Sequence, residues 1–131
     1  MKVVIKGIFY GKNRTCPGWN DRISASARHP QAGAKMEREF VDVCGWEIRK
    51  QLKGVKIEKP IRITYTFHEA DRRRDVGNIA FVDKPFCDAL QRVGILPNDN
   101  QEYVRELHFV LGAIDKNNPR IEIEIEVLDE S

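Results

Sequence analysis

The stretch IRITYTFHEADRRRDVGNIAFVDKPFCDALQRV, residues 61–93, decides the fold. Residues 61–68 alternate apolar and polar side chains, and this period of two is typical of a half-buried strand. The apolar members of that strand are Ile61, Ile63, Tyr65 and Phe67. A charged loop is expected at 69–78, and residues 83–93 predict a helix in which Pro85 is tolerated because it falls in the first turn. The stretch therefore predicts a strand, a charged loop and a helix in succession.

Toward the N-terminus, residues 34–52 repeat apolar side chains every three or four positions, which predicts a long amphipathic helix. Those positions are Met36, Phe40, Val43, Cys44, Ile48 and Leu52. Residues 2–9 predict a strand, because they are rich in β-branched and aromatic side chains. Residues 10–33 contain Gly, Pro, Ser and Asn and predict a long loop. A loop of that length in a compact domain is usually functional or disordered.

Toward the C-terminus, residues 103–114 and 120–128 predict two more strands, joined by a turn at 116–119. In the last strand Glu122, Glu124 and Glu126 alternate with apolar residues and are expected to face solvent. The predicted fold is a single α/β domain over residues 1–131. It has a mixed four-stranded sheet and two main helices, in the order β-α-β-α-β-β.

The composition agrees with one domain, because 131 residues with 41% hydrophobic side chains support a single core. The sequence has no apolar run long enough to span a membrane and no secretory signal pattern, so a cytoplasmic protein is expected. The three cysteines, Cys16, Cys44 and Cys87, lack metal-binding spacing and are interpreted as reduced structural thiols.

The charge is unevenly distributed along the chain. Residues 1–60 carry 13 Lys or Arg against 6 Asp or Glu, whereas residues 61–131 carry 9 against 14. The net charge of +2 is itself too small to indicate a nucleic-acid protein. A basic half beside an acidic half fits a phosphate-binding surface next to a carboxylate site, and it equally fits ordinary solvated faces.

The acidic residues Asp75, Asp83, Asp88 and Asp99 surround the predicted helix at 83–93, with Lys84 among them. Two carboxylates about 4 Å apart repel by on the order of 4 kcal/mol at an effective dielectric near 20, so converging carboxylates imply a cation. Oxygen ligands favour Mg²⁺ or Mn²⁺, and a nearby lysine can stabilise charge on a reacting phosphate. Spacing alone does not establish convergence, and a solvated acidic loop fits these residues equally well.

This segment resembles the signature of the RusA-type Holliday-junction resolvases. The matching elements are RRRD at Arg72–Asp75, Asn78, Lys84, DAL at Asp88–Leu90, Gly94, and ND at Asn98 and Asp99. The resemblance implies a homodimeric, Mg²⁺-dependent endonuclease that cleaves branched DNA such as four-way junctions in recombination and repair. It also implies that Asp75 and Asp99 are metal ligands, that Lys84 assists phosphate chemistry and that Asn78 braces the metal loop.

Two departures from the family pattern affect the metal site. Gly77 stands where the family has a second Asp, and three extra residues precede Lys84. We expect Asp83, which the insertion places beside Lys84, to replace the missing carboxylate; alternatively it only caps the helix. Asp88 is a further candidate, either in the site or as an i,i+4 partner of Lys84.

Several cations are candidates for contacting DNA phosphates in a sequence-independent way. They are Arg72, Arg73, Arg74, Arg14, Arg22, Arg28 and Lys116. Trp19 is a candidate for stacking on an exposed base, whereas Trp46 is expected to pack.

Two other functions fit parts of the sequence. A non-catalytic branched-DNA or RNA-binding relative would have lost its metal site at Gly77, and would bind without cleaving. A phosphohydrolase of small nucleotides is disfavoured because it needs fewer cations than this chain carries around its acidic residues.

Overall fold

The structure is a computed structural model that describes residues 1–7 and 15–128. The strands are β1 (Lys2–Lys6), β2 (Ile61–His68), β3 (Val104–Leu111) and β4 (Arg120–Val127). The helices are α1 (Trp19–Arg28), α2 (Ala32–Gln51), α3 (Val76–Ile79) and α4 (Asp83–Val93), with a 3₁₀ turn at Ala80–Val82 between the last two. No helix in these described ranges is both long and apolar enough to cross a membrane.

The four strands form one mixed sheet in the order β1-β4-β2-β3. β4 pairs antiparallel with β1 on one side and with β2 on the other. β2 and β3 are parallel, so the chain between them crosses over through α3 and α4. The predicted α/β class and mixed four-stranded sheet are confirmed.

The helices cover one face of the sheet, and the core lies between the two layers. The side chains of Ile61, Ile63, Tyr65 and Phe67 on β2 are almost completely buried, as the alternation predicts. The opposite face is polar: Arg62 forms ion pairs with Glu106 on β3 and Glu126 on β4. The glutamates of β4 thus lie on the solvent face of the sheet, as expected.

The loop prediction for residues 10–33 is wrong over Trp19–Arg28, which forms α1. The helix begins where the backbone N–H of Gly18 donates to Asp21 Oδ2 at 2.7 Å, and it packs against α2. Gly33 permits this approach, since an added Cβ there would lie 2.0 Å from Ser26 Oγ. The described part of the chain therefore has three long helices rather than the two main helices that were expected.

The charged loop expected at 69–78 is also shorter than predicted, because the chain becomes helical at Val76. From there α3, the 3₁₀ turn and α4 follow one another directly. The residues between Asn78 and Lys84, where the resemblance implies an insertion, are thus helical backbone rather than a loop.

The start of α1 is held against α3 through Asn78. The Asn78 Oδ1 atom accepts a hydrogen bond from the backbone N–H of Asn20 at 2.9 Å. Gly18 lies so close that an added Cβ would sit 2.5 Å from the same oxygen and 3.0 Å from the Asn78 carbonyl. A side chain at Gly18 would therefore break the contact between α1 and α3.

We expect Gly18→Ala to destabilise the protein by about 1–3 kcal/mol, because the methyl group overlaps Asn78. Gly77→Ala is the matched control: its added Cβ meets only Asp75 Oδ1 at 3.5 Å, and alanine favours a helix by up to about 1 kcal/mol. Urea unfolding of both variants measures the difference. Equal midpoints for the two variants would show that α1 is not held in this way.

Candidate functional site

Arg74 fixes the loop that leads from β2 to the candidate site. Its Nε and Nη2 donate to Glu69 Oε1 and Oε2 at 2.7 and 3.0 Å, and its Nη1 donates to the carbonyl of Cys16 at 2.9 Å. The side chains of Arg74 and Glu69 are only 21% and 11% exposed. The bidentate pair with Glu69 holds the loop, and the hydrogen bond to Cys16 joins the loop to the segment before α1. The Arg74 guanidinium is therefore engaged within the protein.

Asp75 is exposed at the N-terminus of α3 and caps it. Its Oδ1 accepts a hydrogen bond from the backbone N–H of Asn78 at 2.8 Å. Because Asn78 also contacts Asn20 on α1, the residue connects the Asp75 turn to a second helix. Through these two contacts Asn78 joins the turn at Asp75 to α1, whereas its bracing of a metal site stays a prediction.

Asp83 begins α4 and contacts the buried core. Its Oδ1 accepts hydrogen bonds from the hydroxyl of Tyr65 at 2.7 Å and from the thiol of Cys87 at 3.4 Å. Burial raises the pKa of both the Tyr65 hydroxyl and the Cys87 thiol, so both groups keep their protons at neutral pH and act as donors. Asp83 is thus fixed by the core.

Lys84 follows Asp83 and carries a persistent positive charge. Its Nζ lies 3.4 Å from Asp88 Oδ1, one helical turn along α4. Asp88 raises the pKa of Lys84, with smaller contributions from Asp99 and from Glu37 on α2. Asp99 also raises the pKa of Cys87, so it lies within electrostatic range of the start of α4.

The structure places Asp83, Lys84 and Asp88 in the first two turns of α4, Asp99 in the segment after that helix, and Asp75 at the N-terminus of α3. Seven residues, all in α3 or the 3₁₀ turn, lie between Asp75 and Asp83. Within the described residues, no group of three or more His, Cys, Asp or Glu could hold one metal ion. The three predicted ligands therefore do not form a complete protein cage.

The donor chemistry nevertheless fits Mg²⁺. Asp83 keeps Oδ2 available, since only its Oδ1 accepts a hydrogen bond in the described part of the chain, and Asp99 is exposed. Mg²⁺ prefers oxygen ligands and is commonly held by one or two carboxylates together with waters and substrate phosphates. A carboxylate with one free oxygen, directly before a protonated lysine at the start of α4, matches that kind of site.

Three of the predicted DNA-contacting cations are exposed at one end of the molecule. Arg72 and Arg73 lie in the loop after β2, and Lys116 lies in the turn between β3 and β4. The two loops are joined, because the backbone N–H of Asp115 donates to the carbonyl of Glu69 at 2.9 Å. A cavity of about 210 Å³ lies between them, with Arg72 among its lining residues.

The remaining predicted cations lie elsewhere. Arg22 on α1 donates to Glu37 at 3.0 Å and to Ser26 at 3.3 Å, so its guanidinium is engaged within the protein. Arg28 is exposed at the end of α1. Arg14 lies outside the described residues.

Sequence reasoning missed the residues that hold the site in place. Tyr65 has the pattern of an ordinary core residue, and alternation does not show that its hydroxyl meets Asp83. Glu69 resembles a solvated loop residue, yet it is the buried partner of Arg74. Gly77, which stands where the family resemblance implies an Asp, is the sequence signal that points to Asp83. The hydrogen bond of Asp83 then identifies Tyr65.

The fold and this site define a small mixed α/β protein in which carboxylates and a charged lysine meet at the start of one helix, near a loop rich in arginine. No protein-family model matches the chain. The chain is similar to the crossover junction endodeoxyribonuclease RusA of Aquifex aeolicus, with 33% identity over 81 residues. The aligned part covers 61% of this chain and 60% of that relative. The resemblance predicted from residues 72–99 is confirmed by this similarity.

We expect Arg74→Leu to destabilise the protein by about 2–4 kcal/mol, because it leaves the buried Glu69 carboxylate unpaired. Arg73→Leu removes an arginine that is 81% exposed, and should change stability by less than about 0.5 kcal/mol. Thermal and urea unfolding of both variants would measure the change in the free energy of unfolding. An equally small decrease in both variants would contradict the assigned role of the Arg74–Glu69 pair.

Proposed function

We propose that this protein is an endonuclease that cleaves branched DNA such as four-way junctions, in recombination and repair. The placement of Asp83, Lys84 and Asp88 in the first turns of α4, with Lys84 Nζ 3.4 Å from Asp88 Oδ1, carries the proposal, because carboxylates beside a fixed cation suit phosphodiester hydrolysis. The similarity to an enzyme named for cleaving crossover junctions supports the choice of substrate. A cytoplasmic location belongs to the same proposal.

Lys84 has the role of stabilising charge rather than of accepting a proton. The ordinary pKa of lysine lies far above 7 and Asp88 raises that of Lys84 further, so the ammonium group is protonated at neutral pH. An ammonium group can neutralise the additional negative charge that develops on a phosphate under attack. Asp88 thus acts by orienting the Lys84 ammonium group along α4.

Mg²⁺ is the proposed cofactor, with Mn²⁺ as a substitute, and Asp83 and Asp99 are the residues that would hold it. Asp75, exposed at the N-terminus of α3, would contact the same DNA at a neighbouring position. When bound, a divalent cation would supply positive charge to the phosphodiester and acidify a water molecule. DNA phosphates would complete the coordination that the protein alone does not provide.

Arg72, Arg73 and Lys116 are the proposed contacts to the DNA arms. Their side chains are exposed on two joined loops next to Asp75, as a phosphate-binding surface requires. Phosphate contacts of this kind position DNA without reading its sequence. Arg74 contributes indirectly, by holding the shape of the loop that carries the other two arginines.

Cleavage of a labelled four-way junction is the decisive measurement for this proposal. Wild-type protein with Mg²⁺ should make paired nicks, EDTA should abolish them, and linear duplex should be a poor substrate. Asp99→Asn should reduce the rate by about 100-fold or more, with junction binding retained. Asp42→Asn is the matched control, because that carboxylate is 80% exposed on α2 and pairs weakly with Arg92.

A second candidate function is branched-DNA binding without cleavage. It is favoured by Gly77, which lacks the expected carboxylate, and by the absence of a three-ligand cluster among the described residues. Tight junction binding with no nicks in either Mg²⁺ or Mn²⁺ would establish this function and contradict the endonuclease.

A homodimer is part of the proposal, because resolving a four-way junction requires two symmetric cuts and one chain carries one candidate site. The outer edge of β3 is unpaired within the described chain. Nearby Leu107, Val110 and Leu111 are 41%, 44% and 56% exposed. An exposed apolar edge strand is a template for pairing with another strand, and a second copy of this chain is the partner we assign to it.

Val110→Lys should convert the dimer to a monomer, since lysine on an edge strand disfavours strand pairing. Val127→Lys is the matched control, because Val127 is 50% exposed on β4, away from this edge. Sedimentation velocity would report the mass of each variant. A monomeric wild type, or a Val110→Lys variant that remains dimeric, would contradict the assignment of the β3 edge.

A further inference from the structure

The two oxygens of the Asp83 carboxylate lie in different environments. Oδ1 accepts both the Tyr65 hydroxyl at 2.7 Å and the Cys87 thiol at 3.4 Å. Oδ2 accepts no hydrogen bond from the described residues. The described part of the chain also has no buried side-chain oxygen or nitrogen that lacks a partner, so Oδ2 is open to solvent. Asp83 therefore has one oxygen fixed to the core and one free.

Tyr65 is held too firmly to follow a moving carboxylate. It lies in the middle of β2, paired with Phe109 on β3 and with Ile123 on β4. Its ring stacks on Phe109 with centroids 5.3 Å apart, and it meets the edge of Phe86 at 5.9 Å. Since Phe86 belongs to α4, the strand and the helix fix the direction of the hydroxyl.

The free oxygen lies at the start of α4, on the residue before Lys84, whose Nζ lies 3.4 Å from Asp88 Oδ1. We propose that Tyr65 is a positioning residue that fixes Asp83 Oδ1, so that Asp83 offers only Oδ2 to a divalent cation at the candidate site. Cys87 assists, with a smaller share because thiols are weak donors. This inference rests on the proposed function, and it identifies how a core residue supports the carboxylate that stands in for the one missing at Gly77.

Tyr65→Phe tests the proposal, because it removes only the hydroxyl and keeps the ring that packs in the core. Outer hydrogen-bond partners of ligands typically contribute 10- to 100-fold in metal affinity or activity. We therefore expect the Kd for Mn²⁺, measured by electron paramagnetic resonance without DNA, to rise about 10-fold. The kcat for junction cleavage should fall by about 10- to 100-fold, while the Kd for junction DNA stays unchanged.

Two further variants separate positioning from simple stability. Tyr103→Phe is the matched control, since within the described residues the Tyr103 hydroxyl makes no hydrogen bond, and it should bind Mn²⁺ like wild type. In a double-mutant cycle, Tyr65→Phe should add no further loss of Mn²⁺ affinity to Asp83→Asn. Cys87→Ala should weaken Mn²⁺ binding less than Tyr65→Phe does.

The results distinguish this inference from the proposed function. Wild-type Mn²⁺ affinity in Tyr65→Phe, additive losses in the cycle, or no saturable Mn²⁺ binding in the wild type would each overturn the positioning role. Weaker Mn²⁺ binding in Tyr65→Phe but not in Tyr103→Phe would support it, even if the wild type fails to cut junctions. A wild type that does not cut junctions would contradict only the proposed endonuclease function.

Discussion

Burial of one face of β2 is the constraint on which the rest of the structure depends. The strand lies between β4 and β3, and its inward side chains form the center of the core beneath α2 and α4. The same strand carries Tyr65, and the loop that follows it carries the Glu69 and Arg74 pair. The position of each candidate functional residue therefore follows from how this strand packs.

The helical path from Asp75 to Lys84 determines where the candidate ligands lie. Because residues 76–82 are helical, Asp83 begins α4 and lies beside the core, whereas Asp75 is exposed at the start of α3. The orientation of the Asp83 carboxylate is set by a tyrosine in the sheet. The two predicted ligands therefore differ in how firmly the fold holds them.

The sequence patterns that predicted the fold are those in which burial repeats at a regular interval. The strand at 61–68 and the helix at 83–93 have the predicted bounds, and α2 differs by two residues or fewer at each end. α1 was missed because Gly18 and several Ser and Asn residues suggested a loop, and its one fully buried side chain is Ala25. Buried Cys16, Cys44 and Cys87 agree with the interpretation as structural thiols.

The candidate site was predictable only in part, for a physical reason. Residue types and a family resemblance identify Asp83, Lys84 and Asp99 as candidates, and the structure places the first two at the start of α4. Which oxygen of Asp83 is free depends on a contact with Tyr65 across 18 residues of chain. The period-two alternation predicts that Tyr65 is buried, but it does not predict which group accepts the hydrogen bond of its hydroxyl.

The strand order has a consequence for how the chain folds. Among the described strands, no two that follow one another in sequence form an antiparallel hairpin, and β1 pairs with β4 from the opposite end of the chain. Every ladder therefore closes a long loop, and sheets built from such distant pairs form slowly. The helices, whose contacts are local, are expected to form before the sheet is complete. Tyr65 and Asp83 would then meet only late in folding, when β2 joins the preformed α4.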